Sequence, residues 1–194
     1  GKIPDYQNLK ELEFLSLLDN HIEGPIPDFN MPKLEHLLLG RNNIASSIPP
    51  FSKLSKLKYL NLNINQFSGE LPHFSLPELE VLFLGGNELT GGLINLEGLP
   101  NLRKLYAGGN YFSGEIPDFK NLDSLEILDL ADNCLTGNMP ALAGLKKLTF
   151  INVSGNQLSG SIPNFNLPEI TSLEMNNNYF SGQLPHFNFL KKVS

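Results

Sequence analysis

The apolar residues of this chain follow one phrase from end to end. Three leucine-type residues come first, as in Leu34-x-x-Leu37-x-Leu39, followed by an asparagine three residues on (Asn42), then Ile44, then Ile48-Pro49. The alternation over Leu37-x-Leu39 has the period of a β-strand, so each phrase predicts a short strand with its leucines turned inward. Copies of the asparagine stand at Asn20, Asn42, Asn65, Asn87, Asn110, Asn133, Asn156 and Asn178, a step of 22 or 23 residues each time. Eight copies at a fixed step predict a solenoid, in which each turn buries its apolar face only against its neighbours. Stacked strands then form one parallel sheet with turns about 4.8 Å apart, giving an exposed face on the order of 35 to 40 Å long.

The asparagine closes each strand. Its amide carries donors and an acceptor for backbone groups that the turn leaves unpaired, so stacked copies predict a ladder inside the coil. Removing one rung, as in Asn110→Ala, is expected to cost about 1 to 3 kcal/mol through stranded backbone groups. A later column, Phe29, Phe51, Phe74, Leu96, Phe119, Leu142, Phe165 and Phe187, is mostly aromatic and predicts a stacked spine under the outer side. Steps of 22 end in Phe-x-[Leu or Met]-Pro (Phe29 to Pro32, Phe74 to Pro77, Phe165 to Pro168), whereas steps of 23 use Phe or Leu-x-x-Leu (Phe51 to Leu54, Phe119 to Leu122, Leu142 to Leu145). Proline fixes φ and donates no hydrogen bond, so these returns are predicted to be non-helical. One repeat, Leu79 to Leu96, has Ile94 where the others have proline, and a local change of backbone path is expected there.

The chain opens on Gly1-Lys2-Ile3-Pro4, the end of a phrase, and Val193 stands where the next strand would begin. Residues 1–194 are read as one solenoid domain: a partial repeat over 1–11, full repeats from about 12 to 190, and the start of a further repeat to 194. Neither end has an atypical polar or disulfide-bonded cap, so an excerpt of a longer chain with flanking repeats or domains is expected. The net charge of −6 and the lack of a basic patch argue against nucleic acid as a partner. No apolar run approaches the ~20 residues needed to cross a bilayer, so no direct membrane insertion is expected of this segment. The single cysteine, Cys134, forms no internal disulfide and leaves the redox compartment open.

Written out, the phrase is Leu-x-x-Leu-x-Leu-x-x-Asn-x-Leu-[Ser or Thr]-Gly-x-[Ile or Leu]-Pro, carried almost letter for letter by Asn110-Tyr111-Phe112-Ser113-Gly114-Glu115-Ile116-Pro117 and Asn133-Cys134-Leu135-Thr136-Gly137-Asn138-Met139-Pro140. It resembles the plant-type, extracellular leucine-rich repeat, as in receptor ectodomains, over nearly the whole chain. The resemblance implies a leucine-rich-repeat solenoid of the α/β-type class: a curved right-handed coil with a parallel inner sheet. It also implies an added short strand around Leu-Ser-Gly and a 3₁₀ or irregular convex side. In function it implies extracellular or cell-surface receptors, receptor-like proteins, or inhibitors of wall-degrading enzymes. The repeats here are shorter than the family's usual length, and the paired cysteines of its caps are missing.

Solvent-facing strand positions are where such a chain can vary without losing its core. Tyr59, Asn61, Val81, Phe83, Lys104, Tyr106, Ile127, Asp129, Phe150 and Asn152 are the expected ligand-binding residues of the concave face, an aromatic patch followed by Asp129, Asp132 and Glu174. The alternative is that the aromatics serve cross-strand packing. Asn152-Val153-Ser154 is an acceptor sequence for N-glycosylation on that same face. His21, His36, His73 and His186 are scattered without ligand spacing, and no nucleophile elbow or phosphate loop occurs, so no catalytic residue, metal or cofactor is implied. Ser68, Thr90, Ser113, Thr136, Ser159 and Ser181 form a hydroxyl column of the kind that orders water in ice-binding proteins. The expected function is non-enzymatic recognition of a protein or peptide; a hydrolase inhibitor and a structural or adhesive repeat protein are the alternatives, with ice binding behind them.

Overall fold

The computed structural model describes residues 1–6 and 8–185; the expectations at His186, Phe187 and Val193 lie outside them. Fourteen short strands run in chain order: β1 (Phe14–Ser16), β2 (His36–Leu38), β3 (Tyr59–Asn61), β4 (Ser68–Glu70), β5 (Val81–Phe83), β6 (Glu88–Thr90), β7 (Lys104–Tyr106), β8 (Ser113–Glu115), β9 (Ile127–Asp129), β10 (Cys134–Thr136), β11 (Phe150–Asn152), β12 (Ser159–Gly160), β13 (Ser172–Glu174) and β14 (Tyr179–Phe180). One strand per turn joins an eight-stranded parallel sheet in the order β1-β2-β3-β5-β7-β9-β11-β13. Register follows the repeat: Leu15 pairs with Leu37, Leu37 with Leu60, Leu60 with Leu82, and so on to Ile151 with Leu173. The central residue of each strand points inward, and from Leu37 to Ile151 these residues are fully buried. Each such side chain contributes about 1.5 to 3 kcal/mol of burial, and it does so only against the neighbouring turns.

The asparagine ladder is present and its bonds span the turns. Asn65 Nδ2 donates to the carbonyls of Leu62 and Asn63 in its own turn and of Leu39 in the preceding one, while its Oδ1 accepts from Ile44 N–H. Asn42, Asn87, Asn110, Asn133, Asn156 and Asn178 repeat this arrangement. Asn42 to Asn156 are buried, and no buried side-chain polar atom among the described residues lacks a partner. Asn20 is exposed and, among the described residues, donates only within its own turn, to Leu17 and Leu18 carbonyls.

The residue before each asparagine takes positive φ in all eight turns. It is Asp19, Arg41, Ile64, Gly86, Gly109, Asp132, Gly155 or Asn177. Glycine, asparagine and aspartate enter this region at small cost, whereas Ile64, at φ 51° and β-branched, is a true outlier.

The two step lengths have a backbone cause. In three of the 23-residue turns, Phe51, Phe119 and Leu142 adopt φ near 50°, and this left-handed residue takes up the extra position. The fourth 23-residue turn solves the problem differently. Ile94–Gly98 form a 3₁₀ helix, η1, which is the change of path expected where proline is missing. Asn95 Nδ2 ties η1 to the preceding turn through Leu71 O at 2.7 Å. Elsewhere among the described residues the returns between strands are irregular turns.

Two expectations need correction. The Phe29 column is buried, but among the described residues its one stacked pair is Tyr6 with Phe29, at 6.5 Å. The hydroxyl column is broken in register. The flanking strands pair as β4-β6, β8-β10 and β12-β14, in a register two residues off the sequence equivalence. Ser68 therefore lies beside Glu88, Thr90 beside Glu70, and Thr136 beside Glu115. The result is a slanted row with carboxylates between its hydroxyls.

Candidate functional site

Because the inner leucines seal the core, the residues on either side of each one are left to face outward from the sheet. Those in the first row are Phe14, His36, Tyr59, Val81, Lys104, Ile127, Phe150 and Ser172; those in the second are Ser16, Leu38, Asn61, Phe83, Tyr106, Asp129, Asn152 and Glu174. All ten residues expected at the site lie on this face, each half-buried by its cross-strand neighbours.

The aromatic residues are in ring contact over five strands. Centroids are 5.6 Å apart for Phe14 and His36, 5.9 Å for His36 and Tyr59, 5.5 Å for Tyr59 and Phe83, and 4.5 Å for Phe83 and Tyr106. The last pair is parallel to within 5°. The ladder changes rows between Tyr59 and Phe83, which are diagonal neighbours. Phe14 and His36 extend the patch beyond the expected set. Their signal was available, since both occupy the first row and both are rings, but spacing alone did not show that the row continues through them. Val81, Lys104, Ile127 and Phe150 stay in the first row as register neighbours, and among the described residues Phe150 makes no ring contact.

Beyond Tyr106 the second row carries two carboxylates, Asp129 and Glu174, as register partners on either side of Asn152. Asp129 Oδ1 accepts Ala131 N–H at 3.2 Å. Asn61 makes the same bond to Asn63 N–H at 3.1 Å, and Asn152 to Ser154 N–H at 3.0 Å. Burial pushes the Asp129 carboxyl up from its ordinary pKa, the Ala131 N–H opposes this, and Glu174 and Asp132 add to the rise. Burial also raises the Tyr106 hydroxyl, with Asp129 contributing. Asn152 Oδ1 additionally accepts the Ser154 hydroxyl at 2.6 Å, which joins the asparagine and serine of the Asn-x-Ser sequence on the sheet face.

One rim of the face is a charged rail along the residues preceding the strands. Lys58 pairs with Glu35 at 2.9 Å, and Arg103 bridges Glu80 at 3.3 Å and Glu126 at 2.9 Å. Thr149 and Thr171 continue it by donating their hydroxyls to Glu126 O and Thr149 O. These exposed pairs fix the strand edges more than they add stability. Among the described residues no group of three or more His, Cys, Asp or Glu could hold a metal ion, and no helix is long and apolar enough to cross a membrane.

Comparison with known proteins agrees with this architecture. Family models described as "Leucine Rich repeats (2 copies)", "Leucine Rich Repeat" and "Leucine rich repeat" match residues 32–76, 101–122 and 118–158. Among solved structures, a TDR receptor is 35% identical with a TM-score of 0.91; the match covers 95% of this chain and 34% of that one. The plant peptide hormone receptor RGFR1, solved in complex with RGF2, is 32% identical with a TM-score of 0.73, covering 92% of this chain and 34% of that one. A plant ice-binding protein is 29% identical with a TM-score of 0.82, covering 99% and 65%. The chain thus spans about a third of the length of the two receptor structures. No curated protein matches it significantly. Strand, ladder and flank together with these matches make the chain a leucine-rich-repeat protein whose repeats resemble those of plant receptor ectodomains.

Proposed function

We propose that the chain is a non-enzymatic recognition module that binds a protein or peptide along its concave face. In this reading residues 1–194 act as one solenoid segment of a larger receptor-like or secreted leucine-rich-repeat protein, outside the cell or at its surface. The observation that carries the reading is the ladder from Phe14 to Tyr106, five rings on outward positions of a sheet whose core is already closed by leucines beneath. Aromatic side chains offer large contact area at small entropic cost and are common anchors of interfaces. The likeness to a peptide hormone receptor supports the same class of ligand. The test is capture of a displayed library of extended peptides by the chain and by its Phe83→Ala/Tyr106→Ala variant. Capture is expected to be lost in the variant while the chain stays folded, the cost being about 1 kcal/mol for the stacked pair together with the burial of two half-buried rings. Equal capture by both would remove the concave face from the reading.

A second reading, ice binding, is favoured by the likeness to a plant ice-binding protein. The slanted hydroxyl row, with Glu70, Glu88 and Glu115 between its members, counts against it. Thermal hysteresis in dilute solution is the discriminating measurement, and none is expected.

A further inference from the structure

The row of rings stops at Tyr106, and the place where the next ring would lie is open. Tyr106 has one face covered by Phe83, 4.5 Å away and nearly parallel, so its other face looks toward β9. The β9 residue in register with Tyr106 is Asp129, which presents a carboxylate instead of a ring. Beside it is a depression of about 390 Å³, whose lining includes Ile64, Phe83, Tyr106, Gly108, Asp129 and Asp132. Gly108 lies in the same lining, and a Cβ there would stand 3.2 Å from Ala131 O and 3.4 Å from Asp129 Oδ1.

Charge selects what can enter. Asp129, Asp132 and Glu174 form no ion pair among the described residues, whereas the basic residues along the rim are engaged: Lys58 by Glu35, Arg103 by Glu80 and Glu126, and Arg41 by Asp19. Lys104, in the other row of the neighbouring strand, forms no ion pair with the three carboxylates. Asp129 is half-buried and held by the Ala131 N–H on one oxygen; among the described residues its second oxygen accepts no hydrogen bond. An anion would be repelled, and an apolar group would leave a desolvated carboxylate uncompensated. A guanidinium meets all the demands at once: it is planar, stacks on an aromatic face, and donates in a fork that fits a carboxylate.

We infer that the slot between Tyr106 and Asp129 seats an arginine side chain of an extended peptide, its guanidinium lying on the free face of Tyr106 and donating to Asp129, with Asp132 at the rim. This rests on the recognition reading above and names one residue that the peptide contributes.

The test uses Nα-acetyl-arginine amide and its neutral counterpart of nearly equal shape, Nα-acetyl-citrulline amide, titrated against the chain while the ring resonances of Tyr106 and Phe83 are followed by NMR. The arginine probe is expected to bind at least about tenfold more tightly than citrulline. Asp129→Asn should abolish that preference. Asparagine keeps the turn, because Asn61 and Asn152 already make the same bond to the residue two further on. Equal binding of the two probes, or a preference that survives Asp129→Asn, would overturn the slot, and so would a lysine probe that matches arginine. Peptides captured at the concave face without enrichment in arginine would overturn the slot and leave the recognition reading standing. An arginine-selective response with no peptide captured would uphold the slot and remove that reading.

Discussion

Ile64 is the residue whose backbone and side chain disagree most. Its seven counterparts at the same positive φ are aspartate, asparagine, arginine or glycine, and a left-handed conformation costs a β-branched residue about 1 to 2 kcal/mol. It gains little burial in return, being 49% exposed at the edge of the depression beside Tyr106. Ile64→Asn is therefore expected to raise stability by about 1 kcal/mol, seen as a higher denaturation midpoint with an unchanged slope. Asp129 is a second residue kept at a cost. Its folded-state pKa is raised, so the fold favours the protonated acid, and the penalty is present at neutral pH and disappears as pH falls through the carboxylate range. The groups that raise it, after burial, are Glu174 on β13 and Asp132. Asp129→Asn should accordingly raise the melting temperature at pH 7, with the gain fading toward pH 3 as both forms become neutral; a gain that persists in acid would contradict this account. Stability lost at solvent-facing residues is what a binding surface is expected to show.

At the scale of elements, η1 is the exception that shows what the other turns do. It packs so closely on the preceding turn that a Cβ on Gly98 would lie 1.8 Å from Phe74 O. Gly98→Ala is expected to cost about 1 to 3 kcal/mol or to displace η1, measurable by chemical denaturation. The sequence made this region visible through Ile94, a missing proline, but not the helix that fills it. Strands, ladder and step lengths were legible because each depends on residue type at fixed spacing: leucine for the core, asparagine for the ladder, Phe-x-[Leu or Met]-Pro for the shorter return. The diagonal contact of Tyr59 with Phe83 and the two-residue stagger of the flanking strands were not. Both depend on how neighbouring turns are offset, which no single repeat encodes.

Over the whole molecule, order is passed from turn to turn. The strand leucines of the first turn, Leu12, Leu15 and Leu17, are partly exposed, as are Leu173 and Met175, whereas Leu60, Leu82, Leu105 and Leu128 between them are fully buried. With stability approximately a sum over turns and their contacts, amide exchange is expected to be slowest from β3 to β9 and to quicken toward both described ends. Uniform protection would indicate a cooperativity that the nearest-neighbour contacts do not supply. The two step lengths carry one more consequence. Leu37 pairs with Leu60 across a step of 23 and Leu60 with Leu82 across a step of 22, yet the inner register is the same. The left-handed residue at Phe51, Phe119 or Leu142 thus works as an expansion joint on the outer wall. A lineage can gain or lose a codon there and never shift the letters displayed on the sheet, so slack at the back and spelling at the front are free to evolve apart.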